Sequence, residues 1–267
     1  MDLHDYRDVA ENYDAYLDVM YAERDNYEGF REFYLELAKK HGGAGTVDIA
    51  CGTGAVMLYL ARAGLDAEGT DLSEAMCDVA RRKAAAMGLS PRIFPANMTD
   101  FRSDRKYSLA IVARSGFMHL LTPEDQRKAL LNIRECLTDD GVLTLNTFAP
   151  FPPIQAQQMR TRPDDYTFRL EYTNVDGFRE RIYNAITYDP ATQIMSGNWK
   201  FETLGADGQV VAERIRPLKM RQTYRQEMLY LAELCGWEVT DIFGDYHGSR
   251  EDTGRYVWVM RKKDGRF

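Results

Sequence analysis

Two hydrophobic periods divide the chain. Near the N-terminus apolar residues fall at helical spacing, with Tyr13 and Tyr16 in a first stretch and Phe30, Phe33, Tyr34, Leu37 and Ala38 in a second. Gly42-Gly43-Ala44-Gly45 then breaks the pattern. From Thr46 onward short apolar runs alternate with amphipathic stretches. They predict strands at 46–50, 67–70, 92–95, 107–113 and 141–148, with helices at 55–63, 73–87 and 122–137 between them. Ser73 reads as a helix N-cap, and Thr122-Pro123-Glu124-Asp125 combines a cap, a proline at the first helical position and early acids. Beyond Pro150-Phe151-Pro152-Pro153 the period becomes two, at 168–175, 179–188, 193–204 and 210–218. Asp176-Gly177, Asp189-Pro190 and Ala206-Asp207-Gly208 punctuate these runs, which is the pattern of an antiparallel meander. A helix at 222–235 and strands at 237–243 and 256–261 close the chain.

Strand–helix alternation of this kind specifies a parallel sheet covered on both faces. The expected fold is α/β, Rossmann-like and doubly wound, with a mostly parallel seven-stranded sheet and an antiparallel β insert after the fifth strand. Residues 1–150 and 221–267 would form the core, and 151–220 the insert.

Composition narrows the function classes. The 267 residues are 45% hydrophobic and 28% charged, with a net charge of −7. That balance argues against a general binder of nucleic acid or anionic membranes, which needs a basic face. Met1 to Asp8 is polar and acidic, unlike a signal peptide, and no apolar run approaches ~20 residues. Cys51, Cys77, Cys136 and Cys235 are widely spaced, so zinc and redox motifs are absent and a reduced, cytoplasmic protein is expected. No cluster has metal-ligand spacing. Sixteen tyrosines suit a ring-lined ligand pocket.

The richest stretch is Val47-Asp48-Ile49-Ala50-Cys51-Gly52-Thr53-Gly54. A glycine turn after the first strand lets the backbone approach a ligand, and the next helix offers free N–H groups. A phosphate loop would need Gly-Lys-Ser/Thr, but Gly54 is followed by Ala55-Val56. A dinucleotide fingerprint would need a small residue where Met57 stands. A nucleoside ligand without phosphates, its cationic group facing Asp48, is the third reading. Cys51 reads as a small turn residue, with no visible base to activate it.

These residues resemble motif I of class I S-adenosylmethionine-dependent methyltransferases. The resemblance continues through Gly69-Thr70-Asp71-Leu72-Ser73-Glu74-Ala75-Met76, Ala96-Asn97-Met98-Thr99-Asp100-Phe101 and the segment 137–148, and covers residues 45–150 well. It implies S-adenosylmethionine as cofactor and S-adenosylhomocysteine as product. It implies that Gly52 and Gly54, with Ala50 beside them, cradle the methionine end of the cofactor, and that Asp48 lies near its amino group. Asp71 would accept both ribose hydroxyls, Leu72 and Met98 would flank the adenine, and Asn97 would bond the exocyclic amine through its oxygen. Arg114 and Ser115 would sit near the methionine carboxylate and the acceptor. Tyr13, with Tyr16, matches an N-terminal tyrosine pattern that in relatives helps cover the cofactor. Singly, Asp48 and Asp71 could be capping acids, and Leu72, Met98, Tyr13 and Tyr16 packing residues.

Methyl transfer from a sulfonium is an in-line displacement, so positioning dominates, and a protonated acceptor also needs a base. His119, just past the fourth strand, is the candidate; its other reading is a structural histidine opening a helix. His247 reads as a loop residue, and His4, Tyr6 and His41 have no supporting constellation. The layout resembles aminosugar N,N-dimethyltransferases more than glycine/sarcosine methyltransferases, with the insert as the expected acceptor region. The insert and its flank carry Arg160, Arg162, Arg169, Arg179, Arg181, Arg214, Arg216, Arg221 and Arg225. Most read as partners of Asp and Glu, with one or two as anion clamps. The expected partner is a small-molecule acceptor methylated on N or O, with no nucleic acid and no membrane, by a monomer or homodimer. A protein or RNA methyltransferase and a non-catalytic nucleotide-binding protein of this fold are the other readings.

Overall fold

The computed structural model describes residues 6–22, 29–148, 152–252 and 254–263. The acidic start at 1–5 with His4, and the Pro150-Phe151 turn, lie outside them.

Seven strands form the main sheet: β1 (Thr46–Ile49), β2 (Ala67–Asp71), β3 (Ile93–Pro95), β4 (Tyr107–Val112), β5 (Leu137–Phe148), β10 (Trp237–Phe243) and β11 (Arg255–Lys262). Their order is β10-β11-β5-β4-β1-β2-β3. β1, β2, β3, β4 and β5 pair in parallel, and β11 runs antiparallel to both β5 and β10. The chain order reverses between β1 and β4, which opens a crevice at their carboxyl ends.

Both faces of the sheet are buried, and the side chains alternate between them. Val47, Ile49, Ala110, Val112, Trp258 and Met260 point to one core, shared with α5 (Pro123–Cys136) and α7 (Arg225–Leu234). Leu109, Ile111, Val257 and Val259 point to the other, under α2 (Phe30–His41), α3 (Met57–Arg62) and α4 (Glu74–Ala86). Two buried indoles are satisfied: Trp237 donates to the Leu130 carbonyl at 3.3 Å and Trp258 to Thr147 Oγ1 at 2.9 Å.

The second sheet is antiparallel, in the order β6 (Thr167–Thr173), β7 (Arg179–Asp189), β8 (Ile194–Leu204), β9 (Val210–Arg221). Its inner face takes Tyr16 and Leu17 of α1 (Tyr13–Ala22) against Leu170, Tyr172, Ile182 and Phe201. The N-terminal segment therefore bridges core and insert.

Boundaries differ from expectation where local contacts override the pattern. α3 starts at Met57 rather than 55, because the Asp48 carboxylate accepts the Met57 N–H. Ser73 occupies the N-cap of α4 but makes no side-chain cap bond; Asp71 Oδ1 accepts its N–H instead, at 2.9 Å. β5 begins at Leu137, opposite Tyr107, and leaves the regular ladder until Val142, opposite Leu109. The short helix α6 (Pro152–Gln158) was not expected. No helix among the described residues is long and apolar enough to cross a membrane.

Candidate active site

A cavity of about 410 Å³ opens at the carboxyl ends of β1, β2 and β4. Its floor exists because small residues let two strand ends meet. A Cβ on Gly116 would lie 3.0 Å from the Cβ of Ala50 and 3.3 Å from Val112 Cγ1. Ala50 itself holds φ 56°, and Arg114 and Ser115 hold 49° and 62°. Left-handed backbone at such residues costs roughly 1–2 kcal/mol each and persists only where neighbours enforce it. Here Asn146 is the enforcer: its Oδ1 accepts the Ser115 N–H at 3.0 Å and its Nδ2 donates to Ser115 Oγ at 3.3 Å, all buried.

The glycine turn is bare on the cavity side. Gly52 has φ 55°, and a Cβ there would find its nearest neighbour, Tyr13 Cε1, at 3.8 Å. Its N–H donates to Asp71 Oδ2 at 2.8 Å. The Asp71 carboxylate thus ties the turn after β1 to the start of α4 and still faces the cavity. Leu72 stands beside it, 46% exposed, an apolar side chain at the rim of a polar crevice. Met98 also lines the cavity, packed on the core behind it.

Ala50, Gly52, Asp71, Leu72, Asn97, Met98, Arg114, His119 and Tyr13 all lie on the cavity wall. Asp48, Gly54 and Ser115 do not, each for a local reason. The alternation of β1 turns Asp48 under α3, where it is 1% exposed and bonds Met57 N at 3.1 Å. Gly54 has φ 83° and faces Leu58 and Ala80, so its freedom serves helix packing. Ser115 turns toward Asn146. Asn97 lines the cavity, but its Oδ1 already accepts from Thr99 N at 3.0 Å and Thr99 Oγ1 at 2.9 Å. Its amide therefore offers donors to a ligand, rather than the acceptor expected from the sequence.

Charge and burial set the chemistry. Burial raises the Asp48 carboxyl to about 7, and Asp71 adds to the shift against the Met57 N–H and Arg114. Burial, with Asp48 and Asp71 nearby, pushes the Cys51 thiol well above its usual value, so it is no nucleophile. The Arg114 guanidinium lies 5.1 Å from the Phe30 ring and 5.5 Å from the Tyr21 ring. Its Nε is buried without a hydrogen-bond partner. His119 ends the turn Gly116–His119 and is half-buried on the cavity wall.

Tyr6 was given no site in the sequence, yet it lines the cavity beside Tyr13, edge to face at 6.0 Å. Arg216 from β9 lies 3.5 Å from the Tyr6 ring and pairs with Asp8 at 3.5 Å. Four of the other eight arginines named in the sequence hold acids of the chain. Arg179 and Arg181 pair with Glu171, Arg221 with Glu227, and Arg214 grips buried Glu180 through two bonds of 3.0 and 2.9 Å. Among the described residues the cavity wall is drawn from positions 6 to 125, so the insert stands behind it and does not line it. No group of three or more metal-ligating side chains occurs among the described residues.

Residues 46–141 match the family described as methyltransferase domain. The matched segment makes up a little over a third of the chain. The glycine/sarcosine N-methyltransferase of Parasynechococcus marenigrum (strain WH8102) is 29% identical over 260 residues, 96% of this chain and 83% of that protein. The dTDP-3-amino-3,4,6-trideoxy-alpha-D-glucopyranose N,N-dimethyltransferase of Streptomyces venezuelae is 30% identical over 99 residues, 37% and 40% of the two chains. The CcbJ methyltransferase from Streptomyces caelestis superposes with a TM-score of 0.75 at 23% identity, covering 98% of this chain and 100% of that one. The chain spans about half the length of the first curated relatives it matches, 52% and 46%.

The cavity fits S-adenosylmethionine, the cofactor that the sequence resemblance implies. A bare turn, a carboxylate, an exposed leucine and a methionine on one cavity wall, and an arginine with an orphaned buried Nε are what a sugar diol, a flat base and an amino-acid carboxylate require.

Proposed function

We propose that this protein methylates the nitrogen of a small-molecule amine with S-adenosylmethionine. The observation that carries the reading is that Asp71, Leu72, Arg114 and His119 line one cavity at the reversal point of the sheet. The amine acceptor takes its support from the glycine/sarcosine and amino-sugar enzymes named above.

S-adenosylmethionine, when bound, supplies a methyl group already activated on sulfur. The work of this chain is to bind, orient and handle one proton. Asp71 receives the ribose hydroxyls on its remaining lone pairs. Leu72 and Met98 clamp the adenine, and Asn97 donates to a ring nitrogen. Gly52 lets the backbone come close to the methionine end, and Arg114 binds its carboxylate. Tyr6 and Tyr13 roof the cavity. His119 accepts the proton that the amine must shed. The insert acts from behind the wall: Met118, next to His119, packs on Ile186, Tyr188, Met195 and Met220, and Arg216 backs Tyr6.

A methyl-labelled cofactor incubated with a panel of amines, hydroxyl compounds, carboxylates, protein and RNA tests this reading. Label is expected on a small amine. His119→Ala is expected to lower that turnover about a hundredfold and to flatten its pH profile. Label only on protein or RNA contradicts the acceptor class, and an unchanged pH profile contradicts the base.

A further inference from the structure

We propose that Asp14 and Lys83 are positioning residues: they lock the N-terminal segment onto the glycine turn and so set how long the cofactor product stays bound. This rests on the reading of the cavity as the S-adenosylmethionine site.

The lock is a closed triangle. Thr53, between the two glycines of the turn, is 1% exposed and donates its hydroxyl to Asp14 Oδ1 at 2.6 Å. Lys83 of α4 donates to Asp14 Oδ2 at 2.6 Å and to the Thr53 carbonyl at 2.9 Å. One carboxylate thus takes a hydroxyl from the turn and an ammonium from the core, and that ammonium reaches back to the same turn.

Position makes this more than a surface ion pair. Asp14 sits in the first turn of α1, next to Tyr13, whose ring is the nearest atom group above Gly52. Tyr6 follows Tyr13 through their ring contact. The roof of the cavity therefore hangs from Asp14 on the core side, and from Arg216 and the inner face of the second sheet on the other. Lifting α1 would uncover a ligand seated between the turn and these rings, and it breaks the triangle. The Lys83–Asp14 pair is about two-thirds buried, with side chains 31% and 35% exposed. The neighbouring residue of α4, Arg82, also pairs with this segment, through Glu11, but both partners are 59% exposed and neither touches the turn. Exposed pairs of that kind contribute little. The chain thus contains its own control.

The experiment is the release of tritiated S-adenosylhomocysteine from the full chain, chased with excess unlabelled compound. Lys83→Met and Asp14→Asn are expected to speed release by about five- to tenfold, the effect of losing a partly buried charged contact. Lys83→Arg is expected to restore most of the residence time, and Arg82→Met to stay within about twofold of the parent. Raising the salt should speed release from the parent more than from Lys83→Met. Asp14→Asn keeps the shape of the side chain, so the test stands if Lys83→Met folds poorly. Release from both lock variants at the parental rate, or equal acceleration by Arg82→Met, overturns the proposal. A parent protein that retains no S-adenosylhomocysteine overturns the reading of the cavity itself, and this inference with it.

Discussion

Asp71→Ala is expected to weaken S-adenosylhomocysteine binding by a hundredfold or more. Hydrogen bonds to a charged group contribute about 1.5–3 kcal/mol each, and a ribose diol offers two, so their loss amounts to two or more decades of affinity. The side chain has a second task, since its oxygens also accept the Gly52 and Ser73 N–H groups. Alanine therefore removes the ligand contacts and loosens the turn that shapes the cavity. Asp71→Asn keeps the shape and one acceptor oxygen but sets its NH2 against either the Gly52 or the Ser73 N–H, and its expected loss is smaller, about tenfold. Calorimetric titration measures both, and melting curves without ligand check the fold. Parental affinity in Asp71→Ala would mean that the carboxylate faces no ligand.

The second large effect lies in stability. Asp48 is buried, one oxygen bonded to Met57 N and the other, Oδ1, without a partner. Its pKa rises from 3.8 to about 7 in the folded protein. Between those values the native state keeps a proton that the unfolded chain releases, so the contribution of this group is complete below about pH 4 and is lost as the pH rises through about 7. Three units correspond to about 4 kcal/mol. Asp48→Asn cannot ionise and still offers an acceptor to Met57. Relative to the parent, the variant is expected to gain about 3–4 kcal/mol between pH 4 and pH 7.5. Urea unfolding across that range checks it, and parallel stability profiles for the two proteins would contradict it.

Much of this architecture is written locally. The alternation of apolar runs and helical stretches, the glycine turn after β1, and the Thr122-Pro123 helix start with its bond from Asp125 N at 3.1 Å all depend on near neighbours. Asp71 and Leu72 were singled out by the family resemblance, and both line the cavity at the end of β2. Asp48 is not on the cavity wall, and the period of its strand accounts for that: with Val47 and Ile49 on one face, Asp48 faces α3. Tyr6 could not be found this way. Its place depends on Arg216, which arrives from the far end of the second sheet. The insert arginines were ambiguous for a related reason, because strand register, not composition, decides which acid each one meets.

The most direct test of the whole account is a crystal structure of the protein with S-adenosylhomocysteine. The account predicts the ribose hydroxyls on Asp71, the adenine between Leu72 and Met98, and the carboxylate toward Arg114. A cavity left empty at saturating ligand, or the ligand bound elsewhere with Asp71 turned to solvent, would contradict it.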